Sequence, residues 1–77
     1  MKCIVGDIVV FTCKIKKGTF DGEVVEVVGN VKNPDDPMLL IHHLIEGGQN
    51  YHILQSGIVR RLGNVVFDRH ITELVQL

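Results

Sequence analysis

Positively charged side chains form the most prominent candidate site in this sequence. Lys14, Lys16 and Lys17 lie within four residues of one another in a predicted loop, and Arg60 and Arg61 add a second basic pair. Lysine and arginine side chains contact phosphate oxygens in nucleic acids and carboxylates in acidic proteins. The five residues therefore predict a binding site for nucleic acid or for an acidic protein partner, with a solvated charged loop as the alternative.

The composition gives nucleic-acid binding little further support. Eight Lys and Arg residues against nine Asp and Glu residues leave a net charge of −1, so no overall field attracts phosphate or an anionic membrane surface. Aromatic side chains on which bases could stack are few, namely Tyr51 and three phenylalanines that we expect in the core. A nucleic-acid contact would therefore depend on the basic residues.

Histidines are the second group considered. Gly47 and Gly48 separate two apolar runs and predict a hairpin in which His43 faces His52 on one side of the sheet. Two imidazoles at that separation could bind a metal or respond to pH. A third ligand is not indicated, so a structural pair is preferred and no metal site is assigned.

Catalytic groups are not indicated. Ser56 is the only serine, and no base is placed beside it; Asp35 and Asp36 lie between two prolines, where carboxylates usually cap turns. Gly47-Gly48 is not followed by a helix that could bind phosphate. We therefore expect no enzyme, no cofactor and no small-molecule substrate.

The cysteines and the apolar runs bear on the compartment. The first residues lack the apolar run of a secretory signal, and no run approaches the length of a membrane span. We expect the protein to be in the cytoplasm and not in a membrane. In the cytoplasm Cys3 and Cys13 would be reduced thiols.

The composition favours strands. Twelve Val and eight Ile residues make up a quarter of the 77 residues, and Ala is absent. We predict one all-β domain over residues 1–77, a small SH3-like antiparallel β-barrel of five to six short strands. Residues 68–77 fit a short helix or a strand, and a strand over 72–76 is favoured because it would close the edge of the barrel. The other strands are predicted near 8–14, 22–28, 38–45, 50–55 and 65–67, and residues 58–62 are either a continuation of the fourth strand or a short separate strand.

Turns separate these strands. The sequence predicts a basic loop over 14–19, a proline-rich loop over 32–37 and another turn at Gly63-Asn64. The structural turn glycines are Gly6, Gly22, Gly47 and Gly48.

The first half of the chain resembles the KOW motif. Residues 5–11 read VGDIVVF and residues 18–27 read GTFDGEVVEV, similar to the Gly-Asp before a strand and the Phe-x-Gly-x-Val-x-x-Val of that family. KOW domains are SH3-like barrels of ribosomal proteins and transcription elongation factors. The resemblance covers about residues 5–45 and implies a partner in the transcription or translation machinery.

The strand pattern also predicts which side chains enter the core. Val24 and Val27 would both point inward if a bulge at residues 25–26 breaks the alternation. Leu39 and Ile41 would be the inward positions of the following strand.

Apolar residues exceed what one small core can hold. Val25 and Ile58 are the candidate protein-interface positions among them. Strands that are apolar on both faces also favour a homodimer.

The leading interpretation is a small non-enzymatic module that binds another protein. The alternatives are a direct RNA- or DNA-binding module that uses the basic loop, and a phage or mobile-element accessory protein that inhibits a host factor. The sequence does not identify the partner.

Overall fold

The computed structural model describes residues 2–45 and 47–71 and is all-β, as predicted. Five antiparallel strands form one sheet in the order β4-β3-β2-β1-β5. None of the described helical segments is long and apolar enough to cross a membrane. The strands are β1 (Asp7–Cys13), β2 (Lys16–Gly29), β3 (Met38–His43), β4 (Asn50–Leu54) and β5 (Ile58–Asn64), with a 3-10 turn at Gln55–Gly57.

The main core lies on one face of the sheet, where alternate β-branched and aromatic residues point inward. Phe11 is fully buried at its centre, and Phe20, Tyr51 and Ile58 pack against its edge. Leu39 and Ile41 are buried as predicted. The buried members of this core are Cys3, Val9, Phe11, Val24, Leu39, Ile41 and Ile53.

The other face of β1 is also buried. Ile8 is 3% exposed and pairs with Gly63 of β5. A Cβ atom at Gly63 would lie 2.4 Å from Cγ1 of Ile71, so the missing side chain makes room for Ile71. Residues 69–71 form one helical turn there. The strand favoured over 72–76 lies outside the described residues.

Gly22 is not a turn residue, contrary to the prediction. It lies within β2, where it pairs with Val9. A Cβ atom there would lie 2.3 Å from Cγ2 of Ile41 and 2.8 Å from Cε1 of Phe11. Gly22 is therefore required because the core packs directly against its Cα atom.

Gly6 and Gly47 do lie in turns, with positive φ angles of 91° and 70°. Both values are in the left-handed region that favours glycine. Gly48 lies in the same connection as Gly47, and a Cβ atom there would lie 2.1 Å from the carbonyl oxygen of His43. These three turn glycines are placed as predicted.

Two other connections differ from the prediction. The basic loop over 14–19 is a two-residue turn at Lys14 and Ile15, because Cys13 pairs with Lys16 and β2 starts there. The turn predicted at residues 63–64 belongs to β5, and the strand predicted over 65–67 is a turn. The N–H of Val66 donates to the Asn64 side chain there at 2.8 Å.

The predicted β3–β4 register is wrong by three residues. Asn50 pairs with His42, and His52 pairs with Leu40, so His43 and His52 are not partners. The N–H of His43 donates to the carbonyl of Gln49 at 3.0 Å and continues the observed register, so β3 and β4 are joined by a longer connection than the predicted Gly47-Gly48 turn. His43 instead packs edge-on against Phe20 at a centroid distance of 5.4 Å.

The predicted bulge in β2 is confirmed at Val25, where the pairing with β3 shifts between Val24 and Glu26. Val24 is buried as expected, but Val27 is 41% exposed. β1 pairs with β2 as far as Glu23, and the N–H of Gly6 donates to the carbonyl of Val24 at 2.7 Å. Beyond Val24, none of the described residues pairs with β2 on that side. Phe67 was expected in the core and is 73% exposed, in the 65–67 turn.

Candidate binding groove

An open groove of about 560 Å³ lies between the β1–β2 hairpin tip, β4 and the 3-10 turn. Its residues come from three separate parts of the sequence, and most of its lining side chains are apolar. The lining residues are Thr12, Cys13, Lys14, Ile15, Met38, Tyr51, His52, Ile53, Leu54, Ser56 and Gly57.

The hairpin tip forms one wall of the groove. Cys13 is half-buried and packs against the core, which fixes the base of this wall. Ile15 is 77% exposed although it is large and apolar. A tight turn therefore presents an aliphatic side chain and the Lys14 ammonium group together at the groove.

Strand β4 forms the opposite wall. Ile53 is buried, and the Tyr51 ring is half-buried against Phe11 and His43 at centroid distances of 6.1 and 6.2 Å. His52 and Leu54, on the other face of β4, are exposed. Because aromatic neighbours hold the Tyr51 ring, this wall is preformed.

The 3-10 turn at the end of the groove is fastened from two directions. Its Ser56 donates from both its backbone N–H and its hydroxyl to the Asp36 carboxylate, each at 2.8 Å. The Gln55 N–H donates to the carbonyl of Pro37 at 2.9 Å, and the Gln55 side-chain oxygen accepts from the N–H of Cys3 at 2.8 Å. The turn is therefore tied to the proline-rich loop and to the first residues of the chain.

The proline-rich loop is itself held by side chains. Asn30 donates to the carbonyl of Asp36 at 3.0 Å, and its side-chain oxygen accepts from the N–H groups of Lys32 and Asn33. Such bonds from Asn to the backbone stabilise turns. Asp36 thus approaches Ser56 from an ordered loop.

The charge of the groove is one-sided. Among its described lining residues, Lys14 supplies a positive charge and none carries a carboxylate, while the Asp36 carboxylate lies behind Ser56 and is bonded to it. The exposed Lys16 and Lys17 follow directly on β2. The groove is therefore suited to apolar side chains next to a negative charge.

The structure does not bring the five predicted basic residues together. Arg61 bonds through Nε to Asp7 at the opposite end of β1 from Lys14, and Arg60 pairs with Val10 in the middle of that strand. The predicted site is thus divided between the hairpin tip and β5.

The Arg61 contact belongs to a buried polar network around Asp7, which is 1% exposed. Asp7 accepts from Arg61 and Asn64, each at 2.9 Å, and from the N–H of Ile4 at 2.9 Å. Arg61 also lies 3.6 Å from Asp68. This network joins β1, β5 and the first residues of the chain, away from the groove.

Protonation in the network follows from these contacts. Burial acts to raise the pKa of Asp7, but the hydrogen bonds from Ile4, Asn64 and Arg61 outweigh it and hold that pKa below its ordinary value. The bond to Asp7 raises the pKa of Arg61. Burial raises the pKa of the Cys3 thiol, which keeps this cysteine protonated and unreactive.

The predicted interface residues lie in different environments. Val25 is 38% exposed at the bulge, whereas Ile58 packs against the core. Of all the residues predicted to bind a partner, Lys14 is the one that lines the groove. Exposed apolar Ile15, directly after a lysine, was a signal in the sequence that could have indicated this site.

Comparison of the chain with models of protein families, with curated proteins and with solved structures found no match.

Proposed function

We propose that this protein is a small binding module whose groove holds an extended segment of another protein, with apolar side chains and a nearby carboxylate. The observation that carries the proposal is the combination of an apolar lining with Lys14 and without an acidic lining residue. No pair of reacting groups is needed for this role. The resemblance of residues 5–45 to KOW domains favours a partner from the transcription or translation machinery.

The energetics of such a site are adequate for a specific, reversible interaction. Burial of one Leu-sized or Phe-sized side chain is worth about 1.5–3 kcal/mol. The hydrogen bonds from Ser56 to the Asp36 carboxylate and from the Cys3 N–H to the Gln55 side chain hold the groove in shape before a partner arrives. Less ordering is then required on binding, so more of that burial energy contributes to affinity.

RNA contact at the hairpin tip is the second candidate, favoured by the three exposed lysines Lys14, Lys16 and Lys17. The proposed protein ligand has the stronger support, because Arg61 is already bonded to Asp7. Phe11 is buried and Phe20 packs against the core, which leaves few rings on which bases could stack.

The test is a selection of peptides from a random display library on the immobilised full chain. We expect enrichment of peptides that combine apolar residues with Asp or Glu. Ile15→Glu should abolish their binding, because it removes an apolar contact and places a carboxylate in the groove. Val31→Glu is the matched control, since Val31 is fully exposed in the loop after β2.

Two outcomes would contradict the proposal. One is the absence of any enriched peptide, and the other is equal binding by both Glu variants. Binding of single-stranded RNA that falls steeply with salt and is lost on replacing Lys16 and Lys17 by Ala would establish the second candidate instead.

A further inference from the structure

Among residues 2–45 and 47–71, strand β4 is the last strand of the sheet on its side, and none of these residues pairs with its outer edge, which is therefore open within the described part of the chain. Two hydrogen bonds continue its ladder with β3 beyond both ends: from the N–H of His43 to Gln49 at 3.0 Å and from the N–H of Gln55 to Pro37 at 2.9 Å. Bonded and non-bonded pairs alternate in an antiparallel ladder. The β3–β4 register has no bulge.

This alternation determines which backbone groups face the open edge. The bonded pairs fall on Tyr51 and Ile53, so the N–H and C=O groups of His52 and Leu54 point away from β3. Outside the strand ladders, the hydrogen bonds among residues 2–45 and 47–71 leave the N–H and C=O of His52 and the N–H of Leu54 unused. The C=O of Leu54 belongs to the N-cap of the 3-10 turn and accepts the first bond of that turn. Both residues also line the groove.

The opposite edge of the sheet is built differently. β5 carries Arg60 and Arg61, and its pairing with β1 is interrupted by two register shifts. Charged side chains and bulges are the usual means by which a protein prevents pairing at an edge strand. β4 reads Asn-Tyr-His-Ile-Leu, without a lysine, an arginine or a proline.

We propose that the partner segment binds as an added antiparallel β-strand along β4, with main-chain hydrogen bonds to the N–H and C=O of His52 and to the N–H of Leu54. The inference rests on the proposed function and specifies how that groove is used. In such complexes the main chain supplies affinity, and side chains at alternate positions supply specificity. The occupant is an extended, acidic peptide, because Lys14 lies beside the edge and none of the described lining residues is a carboxylate.

The main-chain pairing with β4 determines which positions of the ligand carry apolar side chains. The ligand residue opposite His52 must offer both its N–H and its C=O to β4. Its two neighbours lie opposite Tyr51 and Ile53, whose side chains point to the inner face, and their own side chains therefore enter the groove. The expected motif is apolar–x–apolar, with a carboxylate near Lys14.

The experiment uses the full chain labelled with nitrogen-15 and the synthetic peptide acetyl-Glu-Val-Glu-Val-Glu-Val-Glu-amide in millimolar excess. Amide hydrogen exchange is measured with and without the peptide. In the free protein, His52 and Leu54 should exchange much faster than Tyr51 and Ile53, whose N–H groups are already bonded to β3. The peptide should slow exchange at His52 and Leu54 by about tenfold or more and leave Tyr51 and Ile53 unchanged.

N-methylation of the probe gives a second measurement. A methyl group on the nitrogen of one of the two inner Glu residues of the peptide should weaken binding by about tenfold or more if this residue lies opposite His52, whereas methyl groups on the Val nitrogens should be tolerated. If the peptide pairs one residue out of this register, the Val nitrogens become the sensitive positions and the Glu nitrogens the tolerant ones. The alternation itself is therefore the signature of an added strand.

Several results would overturn the edge pairing. Slow exchange of His52 and Leu54 in the free protein would mean that the edge is already covered, by this chain or by a second copy. Selected peptides that bind the groove while the probe does not, or that bind without protecting His52 and Leu54, would show recognition by side chains alone. Failure of every peptide to bind would instead contradict the proposed function and the edge pairing with it.

Discussion

Asp36 binds Ser56 through both of its carboxylate oxygens, each at 2.8 Å, and thereby connects the proline-rich loop to the 3-10 turn that ends the groove. The two residues are twenty positions apart in the sequence. The groove is therefore shaped by a contact that lies just behind one of its walls.

Asp36→Ala should loosen the groove and lower stability by about 1–2 kcal/mol, because two hydrogen bonds to Ser56 are lost. Thermal unfolding and the affinity for the selected peptides measure the two effects. Asp35→Ala is the control, since Asp35 is exposed and its carboxylate has no hydrogen bond within the described residues. Equal effects of the two substitutions would contradict a specific role for Asp36.

Gly22→Ala should destabilise the fold by about 1–3 kcal/mol, the usual cost of overpacking a core. The reason is the distance of 2.3 Å between the new Cβ atom and Cγ2 of Ile41. Urea denaturation measures the change. Gly18→Ala serves as the comparison, because no atom lies within 4 Å of a Cβ there, so its cost reports the strain of a positive φ of 102° without any overpacking. An unchanged midpoint for Gly22→Ala would show that the core can move away from β2.

Asp7 should make stability depend on pH in the acid range. Its pKa is lower in the folded than in the unfolded chain, where it is near the ordinary value of 3.8. The contribution of Asp7 is therefore complete above that value and is lost as pH falls through the lower folded pKa. Urea denaturation over an acid pH series should show this loss for the natural chain and a weaker one for Asp7→Asn. Parallel pH curves for the two proteins would contradict the assignment.

Val25→Glu and Ile58→Glu should differ sharply, although both positions were predicted as interface residues. Val25 is 38% exposed, so its substitution should change stability by no more than about 0.5 kcal/mol. Ile58 packs against the core, and a carboxylate there should cost several times more. The melting temperatures of the two variants, compared with that of the natural chain, measure the two losses of stability. An Ile58→Glu variant that folds and is as stable as the natural chain would show that this side chain can turn outward.

The strands were predictable because their signals are local. Runs of Val and Ile between glycines and prolines located four of the five strands to within a few residues, and the turn glycines followed from the same pattern. The register of β3 with β4 was not predictable, because the two glycines do not show how long the connection between His43 and Asn50 is. Gly22 was misread because Ile41 and Phe11, which pack against it, come from distant positions in the sequence.

The groove escaped prediction because no segment contains enough of it to form a motif. Lys14 and Ile15 come from a hairpin tip, Tyr51 and Ile53 from an edge strand, and Ser56 from a 3-10 turn. The basic residues were easier to find, but charge in a sequence does not show which side chains are already paired. Arg61 was thus counted as a ligand contact although it bonds to Asp7.

The bond from the Cys3 N–H to the Gln55 side chain has a consequence for protease resistance. It couples the first residues of the chain to the 3-10 turn at the end of the groove. Coupling of this kind is reciprocal: whatever holds the groove closed around a ligand also holds those first residues in place. A bound peptide should therefore slow cleavage by an aminopeptidase at a site that the peptide never touches.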